Sequence, residues 1–437
     1  VSVGVRSARR ILLVDADAFF VAVARQEDPE GAGRVPLLIV GGRPGSRGVV
    51  CSASYECRAY GVRSAMPIAA ALRLCPEATC VPVPRQACSR RSREIRDVLH
   101  RFAPVVQASS IDEWYCDLSG TEQLYGDEPL HVTAHRLRAA VRAATGLDVS
   151  IGAGTSRLVA KLAVERAKPK PGTDADGVHV VSPGDEARFL ATFALADLPM
   201  VGPRFAERLR RLGLETVADA QRWTEAELTA ALGDRAGPWL ARRVRGIDDS
   251  PVLPRADQKQ VSREDTFARD LRDDDLLGRE LLRLAVRVSA DLRAKGLAAR
   301  TVTVKLRDAD FRTRSARRTL RTPIESERSV ARVAGALLAR LRRQRGGGVR
   351  LLGIALSHFD SDPSPPVQLP LFESLPGARA SGVREAPPGS DDEPVEGERD
   401  RALTRALDRI RERYGAAAIV PARLLDPSGD PGPRVEE

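Results

Sequence analysis

Cysteine is scarce in this chain, with six in 437 residues. That is too few for a disulfide framework, the device of small secreted domains. No run approaches the roughly 18 consecutive apolar residues of a membrane span. Residues 1–10 also lack the basic-then-apolar pattern of a secretion signal. Aromatics make up only 4%. Lysine is scarcer still against arginine: six lysines (Lys161, Lys168, Lys170, Lys259, Lys295, Lys305) face 63 arginines. GC-rich coding accounts for most of that bias, yet three of the six lysines fall between 161 and 170. A compact ammonium is a different tool from a guanidinium fork, so the cluster is a candidate site. Phosphate loops of the Gly-x-x-x-x-Gly-Lys type and Gly-x-Ser-x-Gly nucleophile elbows are both missing. His131 and His135 have metal-compatible spacing on a helix, but no third ligand accompanies them. These absences exclude a membrane protein, a small secreted domain and a disordered acidic protein. A reduced, cytoplasmic protein without membrane contact is expected.

What is present is charge and length. At 47.3 kDa the chain exceeds one ordinary core, and about two to four domains are expected. Lys plus Arg is 69 and Asp plus Glu is 59, giving a formal net charge of +10 and an anionic partner. Residues 1–174 alternate strand and helix patterns. Strand candidates are Ile11–Val14, Leu37–Val40, the run from Gly48 and Val149–Gly152; helical spacing covers 89–103, 130–144 and 155–167. Residues 175–247 read as all-helical. A proline-rich polar stretch at 250–260 reads as a linker. Residues 261–359 read as a helix–strand–helix–strand unit, with helices 276–294 and 329–344 and strands 301–306 and 349–356. From Asp360 to about Arg399 the composition predicts disorder. Helix 400–414 follows, with Leu403, Leu407, Ile410 and Tyr414 on one stripe; it is expected to dock back on the body.

The sharpest chemical signal is two acidic clusters at strand ends. Asp15 and Asp17 follow Ile-Leu-Leu-Val, and Asp112 and Glu113 follow Val-Val-Gln-Ala-Ser-Ser-Ile. Carboxylates are hard oxygen ligands suited to Mg²⁺. A metal pair between two strands can activate a hydroxyl and stabilise a leaving pyrophosphate. Each cluster alone is equally a helix cap or a strand-end turn, and the residues by themselves leave both readings open.

The run Val14-Asp15-Ala16-Asp17-Ala18-Phe19-Phe20 resembles the first motif of the Y-family, translesion DNA polymerases. So do Ser52–Pro67 in the fingers, Ser110-Ile111-Asp112-Glu113, Ala160-Lys161 and Ala167-Lys168-Pro169. Ser262-Arg263-Glu264 and Ala299–Arg307 resemble the family's little finger. The similarity spans about residues 9–359 and is nearest to the bacterial DNA polymerase IV, or DinB, subgroup. It implies an α/β multidomain, right-hand polymerase: a ferredoxin-like palm (9–20 and 86–174), small fingers (21–85) and a helical thumb with a helix-hairpin-helix (175–247). A linker (248–260), an α/β little finger (261–359), a disordered arm (360–399) and a C-terminal helix and tail (400–425) complete the division.

The resemblance also implies roles. Asp15, Asp112, Glu113 and the Ala16 carbonyl would bind two Mg²⁺ ions, with Asp17 in support. Phe20 would be the steric gate against a ribose 2′-OH, and Phe19 would pack beneath the sugar. Tyr55, Arg58 and Lys168 would hold the dNTP triphosphate, with Ser52 adding a hydroxyl. A phenol, a guanidinium fork and a point charge suit three phosphates. The reaction implied is attack of a primer 3′-OH on the α-phosphate. Several positions depart from the family pattern. Trp114 stands where a small residue is usual, and if 112 and 114 share a strand face its indole reshapes the site floor. Cys116 replaces an aliphatic, Ala16 replaces a larger residue, and the turn Lys168-Pro169-Lys170-Pro171-Gly172 is one residue longer than the family's usual Lys-Pro-x-Gly turn.

Primer-template DNA is the implied polyanion. Residues 197–212 resemble a helix-hairpin-helix that offers backbone N–H groups to phosphates at Gly202, beside Arg204. Met200 replaces the first of its two usual glycines, which predicts a weaker or reshaped hairpin. Residues 300–350 carry 15 Lys and Arg against four acids. In 311–321 arginine interleaves with hydroxyls, so Arg300, Arg312, Arg314, Arg317 and Arg318 are expected to follow the DNA backbone. Gln368-Leu369-Pro370-Leu371-Phe372 resembles the peptide that binds the bacterial sliding clamp, with Gln368, Leu369, Leu371 and Phe372 as anchors. A clamp-tethered, low-fidelity, monomeric DNA polymerase of the nucleoid is the implied whole. The alternative is a catalytically weak accessory protein that binds DNA and clamp. A nucleotide cyclase with a related palm would leave 197–359 and the clamp peptide without purpose.

Overall fold

The structure is a computed structural model and describes residues 8–169, 174–254, 258–360, 396–415 and 418–424. It divides into two units, 1–256 and 257–437. In the first, the strands are β1 (Ile11–Ala16), β2 (Leu38–Gly41), β3 (Val50–Ala53), β4 (Thr79–Val81), β5 (Val105–Ala108), β6 (Glu113–Asp117), β7 (Val149–Gly154) and β8 (Val178–Val180). They form one sheet in the order β5-β6-β1-β7-β8 and another in the order β3-β2-β4. The helices are α1 (Phe19–Glu27), α2 (Tyr55–Ala59), α3 (Ile68–Leu74), α4 (Arg85–Phe102), α5 (Leu130–Thr145), α6 (Arg157–Ala167), α7 (Glu186–Leu190), α8 (Pro203–Arg210), α9 (Val217–Gln221), α10 (Glu225–Leu232) and α11 (Ala236–Arg243).

β1 is buried along its whole length, as a central strand covered on both faces must be. Its side chains alternate between two cores. Leu12, Val14 and Ala16 join α4 and α5 through Ile95, Leu99, Leu137 and Val141. Ile11 and Leu13 join Tyr115 of β6 and Ala160 and Val164 of α6. In chain order β1, α4, β5, β6, α5 and β7 give the β-α-β-β-α-β arrangement of a ferredoxin-like sheet, as the resemblance implied. The expectation that 175–247 is purely helical needs correction. Val178–Val180 is a strand, parallel to β7. Three residues after Gly177 are too few for a period-two signal. The short helices α7 to α11 then close around their own core, which includes Leu195, Leu209, Leu228 and Leu240.

The second unit holds β9 (Gln260–Leu271), β10 (Ala298–Asp308), β11 (Thr313–Ile324) and β12 (Val349–Asp360). They form an antiparallel sheet in the order β11-β10-β12-β9. Helices α12 (Asp274–Arg293) and α13 (Glu327–Gln344) share one core with Val302, Val304, Leu306, Leu352 and Ile354. The expected helix–strand–helix–strand order therefore lacked β9 and β11. Both are polar on their exposed positions, and β9 buries only Val261 and Phe267.

Helix α14 (Glu398–Tyr414) does dock on this unit, but by its ionic side. Arg293 of α12 donates twice to Asp408, at 2.6 and 2.7 Å. Arg411 donates to Glu327 at 3.1 Å. The carboxylate of Glu396 accepts from the backbone N–H groups of Glu325 and Ser326 at the start of α13. Leu403, Ile410 and Tyr414 of the apolar stripe stay exposed.

Candidate active site

Asp15 lies next to the end of β1 and Glu113 begins β6, and the two are direct register partners. Both lie on the sheet face that carries Ile11, Leu13 and Tyr115, the side covered by α6. Asp112 precedes the strand. Its carbonyl accepts the Ala16 N–H at 2.9 Å, and its carboxylate accepts the Ser110 hydroxyl. Asp15 is only 8% exposed. Burial raises its pKa to about 7, against the lowering effect of Lys168, and the Glu113 charge adds to the rise. Asp17 is also raised, first by burial, while the Ser150 hydroxyl donates to it at 2.8 Å and pulls the other way.

Two of the six lysines meet these acids. Lys168 Nζ stands 3.1 Å from Asp15 Oδ2 and 2.8 Å from Glu165 Oε1. Lys161 Nζ donates to Glu113 Oε1. Seven residues apart, the two share one side of α6 and its end. Gly152 of β7 makes that placement possible. A Cβ there would lie 2.1 Å from the Val164 backbone N and 2.3 Å from the Ala160 carbonyl O. Among the described residues no three metal-ligating side chains converge closely enough to enclose an ion. The donor chemistry still fits a divalent cation: hard oxygens, two in register, one with its pKa raised to about 7 by burial and then by the neighbouring Glu113 charge. The ammonium groups stand where positive charge is required.

The fingers segment reaches the same place. Ser52 is buried on β3. The Ser54 hydroxyl caps α2 by accepting the Cys57 N–H. This fixes the turn that presents Tyr55 and Arg58. The Arg58 guanidinium lies 4.9 Å from the Tyr55 ring centre and donates to the Ala53 carbonyl at 2.9 Å. Burial raises the Tyr55 pKa and Asp17 adds to the rise, while the charges of Arg58 and Lys168 lower it. Tyr55, Arg58, Lys168, Asp15 and Asp17 thus form one electrostatic neighbourhood. Phe19 is buried in the sheet's core, and Phe20 stands half-buried beside it with ring centres 5.6 Å apart, edge to face. The turn between the acids and these rings passes through Ala18 at φ 45°, a left-handed conformation costly for a non-glycine residue.

The expected effect of Trp114 on the site floor does not hold. β6 begins at Glu113, so Asp112 lies in a bend and shares no strand face with 114. Trp114 is fully buried in the opposite core with Leu12, Val106 and Cys116. Its indole N–H finds no partner there. Sequence reasoning assigned no role to Lys161 or Ser150. The lysine cluster was the available signal for the first; the second had none. Lys170 to Gly172 lie outside the described residues.

Of the residues expected at DNA, Gly202 caps α8 in an extended conformation, and a Cβ there would meet open space. Arg204 is exposed. Met200 takes φ 74°, the conformation a glycine adopts freely, and is exposed. In the second unit, β11 splits its arginines. Arg317 lies opposite Thr303 on the open face of the sheet, with Ser315 opposite Lys305. Arg318 lies opposite Val302, on the helix side of this edge strand. Arg312 is exposed in the β10–β11 turn, and Arg300 sits at the irregularity in β10. Arg314 is not positioned to grip DNA. Its side chain is 11% exposed and donates to both Asp308 oxygens, at 3.1 and 2.9 Å. Gln368, Leu369, Leu371 and Phe372 lie outside the described residues.

Comparison with known proteins gives this geometry its context. Residues 14–165 match the model of the impB/mucB/samB family and residues 258–371 that of its C-terminal domain. Residues 196–248 match the thumb domain of DNA polymerase iota. DNA polymerase IV of Gluconobacter oxydans (strain 621H) is 38% identical over 358 residues, covering 82% of this chain and 97% of that protein. DNA polymerase IV of Dehalococcoides mccartyi (strain CBDB1) is 34% identical over 417 residues, covering 95% and 98%. An insertion ternary complex of Dbh DNA polymerase superposes with a TM-score of 0.56 at 25% identity, covering 80% of this chain and 98% of that one. With its acidic strand pair, its lysine-bearing helix and its matches along most of its length, the chain belongs to the impB/mucB/samB, or Y, family and is a DNA-directed DNA polymerase of the DNA polymerase IV type.

Proposed function

We propose that this polymerase extends a primer on damaged templates with low fidelity by two-metal catalysis, tethered to the bacterial sliding clamp. The observation that carries the reading is that Asp15 and Glu113 share one electrostatic neighbourhood with Lys168, Tyr55 and Arg58. Two Mg²⁺ ions, held by Asp15, Asp112, Glu113 and the Ala16 carbonyl, would ease deprotonation of the primer 3′-OH and neutralise the departing pyrophosphate. Asp17, tied to Ser150, supports the acid cluster. Tyr55, Arg58 and Lys168 bind the triphosphate of the incoming dNTP, and Lys168 exchanges Asp15 for phosphate as it does so. Ser52 adds a hydroxyl contact to the phosphates or lines the nascent base pair. Phe19 supports the sugar, and Phe20 blocks the space of a 2′-OH. Gly202 and Arg204 hold the duplex backbone, as do Arg300, Arg312, Arg317 and Arg318 of the second unit. The peptide 368–372 provides the clamp anchor. The protein acts as a monomer at the nucleoid.

Primer extension with dNTPs and Mg²⁺ tests the reading. Asp112→Ala is expected to abolish extension while primer-template binding persists. Extension undiminished in that variant would move the catalytic centre elsewhere. Removal of 368–372 is expected to spare distributive synthesis and remove stimulation by the clamp; stimulation equal to that of the intact chain would reject the peptide.

A further inference from the structure

Helix α6 turns a basic row toward the acid-bearing strand ends. Arg157, Lys161 and Lys168 follow one another at spacings of four and seven. The two outer members have other partners. Arg157 lies 4.3 Å over the Tyr115 ring and donates to the Pro251 carbonyl at 3.0 Å. Lys168 is shared between Asp15 and Glu165. Lys161 has a simpler arrangement: its ammonium donates to one oxygen of Glu113, with both side chains less than a third exposed. An ammonium on a carboxylate oxygen takes one of its lone pairs and offsets the negative charge that attracts a metal ion. The contact therefore competes with metal ligation at that oxygen.

We propose that Lys161 is a positioning residue that occupies Glu113 until a divalent cation displaces it, keeping the cation affinity of the DNA-free enzyme low. This rests on the two-metal reading of the acid cluster. Before substrate arrives, Lys161 holds the Glu113 carboxylate in place and satisfies its charge. When a cation binds, the ammonium withdraws along its flexible stem and stays nearby as an uncommitted positive charge. Cation occupancy then depends on the extra negative charge that a nucleotide brings. A merely structural lysine and a competing lysine make opposite predictions. Removing a structural support loosens Glu113 and weakens the cation. Removing a competitor strengthens it.

The experiment is Mn²⁺ binding to the intact chain without DNA or nucleotide, followed by electron paramagnetic resonance of free Mn²⁺. Lys161→Met is expected to tighten Mn²⁺ binding about fivefold, the worth of one partly exposed ion pair. Lys161→Arg keeps a charged donor on Glu113 and is expected to stay within about twofold of wild type. Arg157→Met, one turn away, controls for the general field of the helix and is expected to leave binding unchanged. Unchanged or weaker binding in Lys161→Met overturns the proposal, as does an equal gain in Arg157→Met. Glu113→Gln separates the two layers. If it leaves wild-type Mn²⁺ binding intact, the metal reading of Glu113 itself fails. If it weakens binding while Lys161→Met changes nothing, only the role of Lys161 fails. Circular dichroism of each variant confirms that the fold is retained.

Discussion

At the scale of the residue, burial sets the energetic state of an acid, and Asp15 illustrates this. Its folded pKa of about 7 lies above its ordinary value of 3.8, so the native state keeps a proton that the unfolded chain releases. Stability from this group is fully present below the ordinary value and is lost as pH rises through about 7. In metal-free protein, urea unfolding is therefore expected to show wild-type stability falling relative to Asp15→Asn between those values. A flat difference would place Asp15 in a more watery setting. Trp114 is a different case, a residue whose position in the sequence suggested a site role and whose side chain faces a core. Its unpaired indole N–H costs about 1–3 kcal/mol. Trp114→Phe removes that donor and keeps most of the apolar volume, so a net change under about 1 kcal/mol is expected by thermal unfolding. Trp114→Ala leaves a void and is expected to cost about 3–5 kcal/mol.

At the scale of the element, helices with a clean apolar stripe were legible to within a few residues. The spacing in 89–103, 130–144, 276–294 and 329–344 predicts helices that the structure places at Arg85–Phe102, Leu130–Thr145, Asp274–Arg293 and Glu327–Gln344. β9 and β11 were not legible as strands, because an edge or half-solvated strand needs few apolar residues. Arginines in β11 serve both faces, so alternation of hydrophobicity vanishes. The side by which α14 docks was hidden for a related reason: Asp408 and Arg411 find buried partners that only the tertiary fold supplies. The close approach of α6 to β7 rests on Gly152, and this sets the reach of Lys161 and Lys168 into the site. Gly152→Ala must push the helix outward, at a cost of about 1–3 kcal/mol. The displaced lysines make a second effect: KM for dNTP is expected to rise in conditions where the variant remains folded. A variant with lower stability and unchanged KM would mean that α6 relaxes without moving Lys168.

At the scale of the whole molecule, the net charge of +10 concentrates in one stretch, since residues 300–350 alone carry +11. The fold then spends part of that excess internally. Arg314 and Arg345 meet Asp308, Arg342 meets Asp274, Lys305 meets Glu264, and Arg328 meets Asp400. Formal charge therefore overstates what is available to DNA, and two arginines three residues apart should behave as different kinds of group. Arg317 lies on the open face of the sheet, where a phosphate contact would release a counterion. Arg314 is a mostly covered strut between β11 and Asp308. Duplex binding measured against salt concentration separates them. Arg317→Ala is expected to reduce the salt slope by about 1 and to leave stability nearly unchanged. Arg314→Ala is expected to cost about 2–3 kcal/mol of stability, because Asp308 loses a two-pronged partner, with no change of slope while the protein stays folded. Equal slopes for Arg317→Ala and wild type would remove the open face of this sheet from the DNA path, and a lowered slope for Arg314→Ala would return the Asp308-paired guanidinium to it.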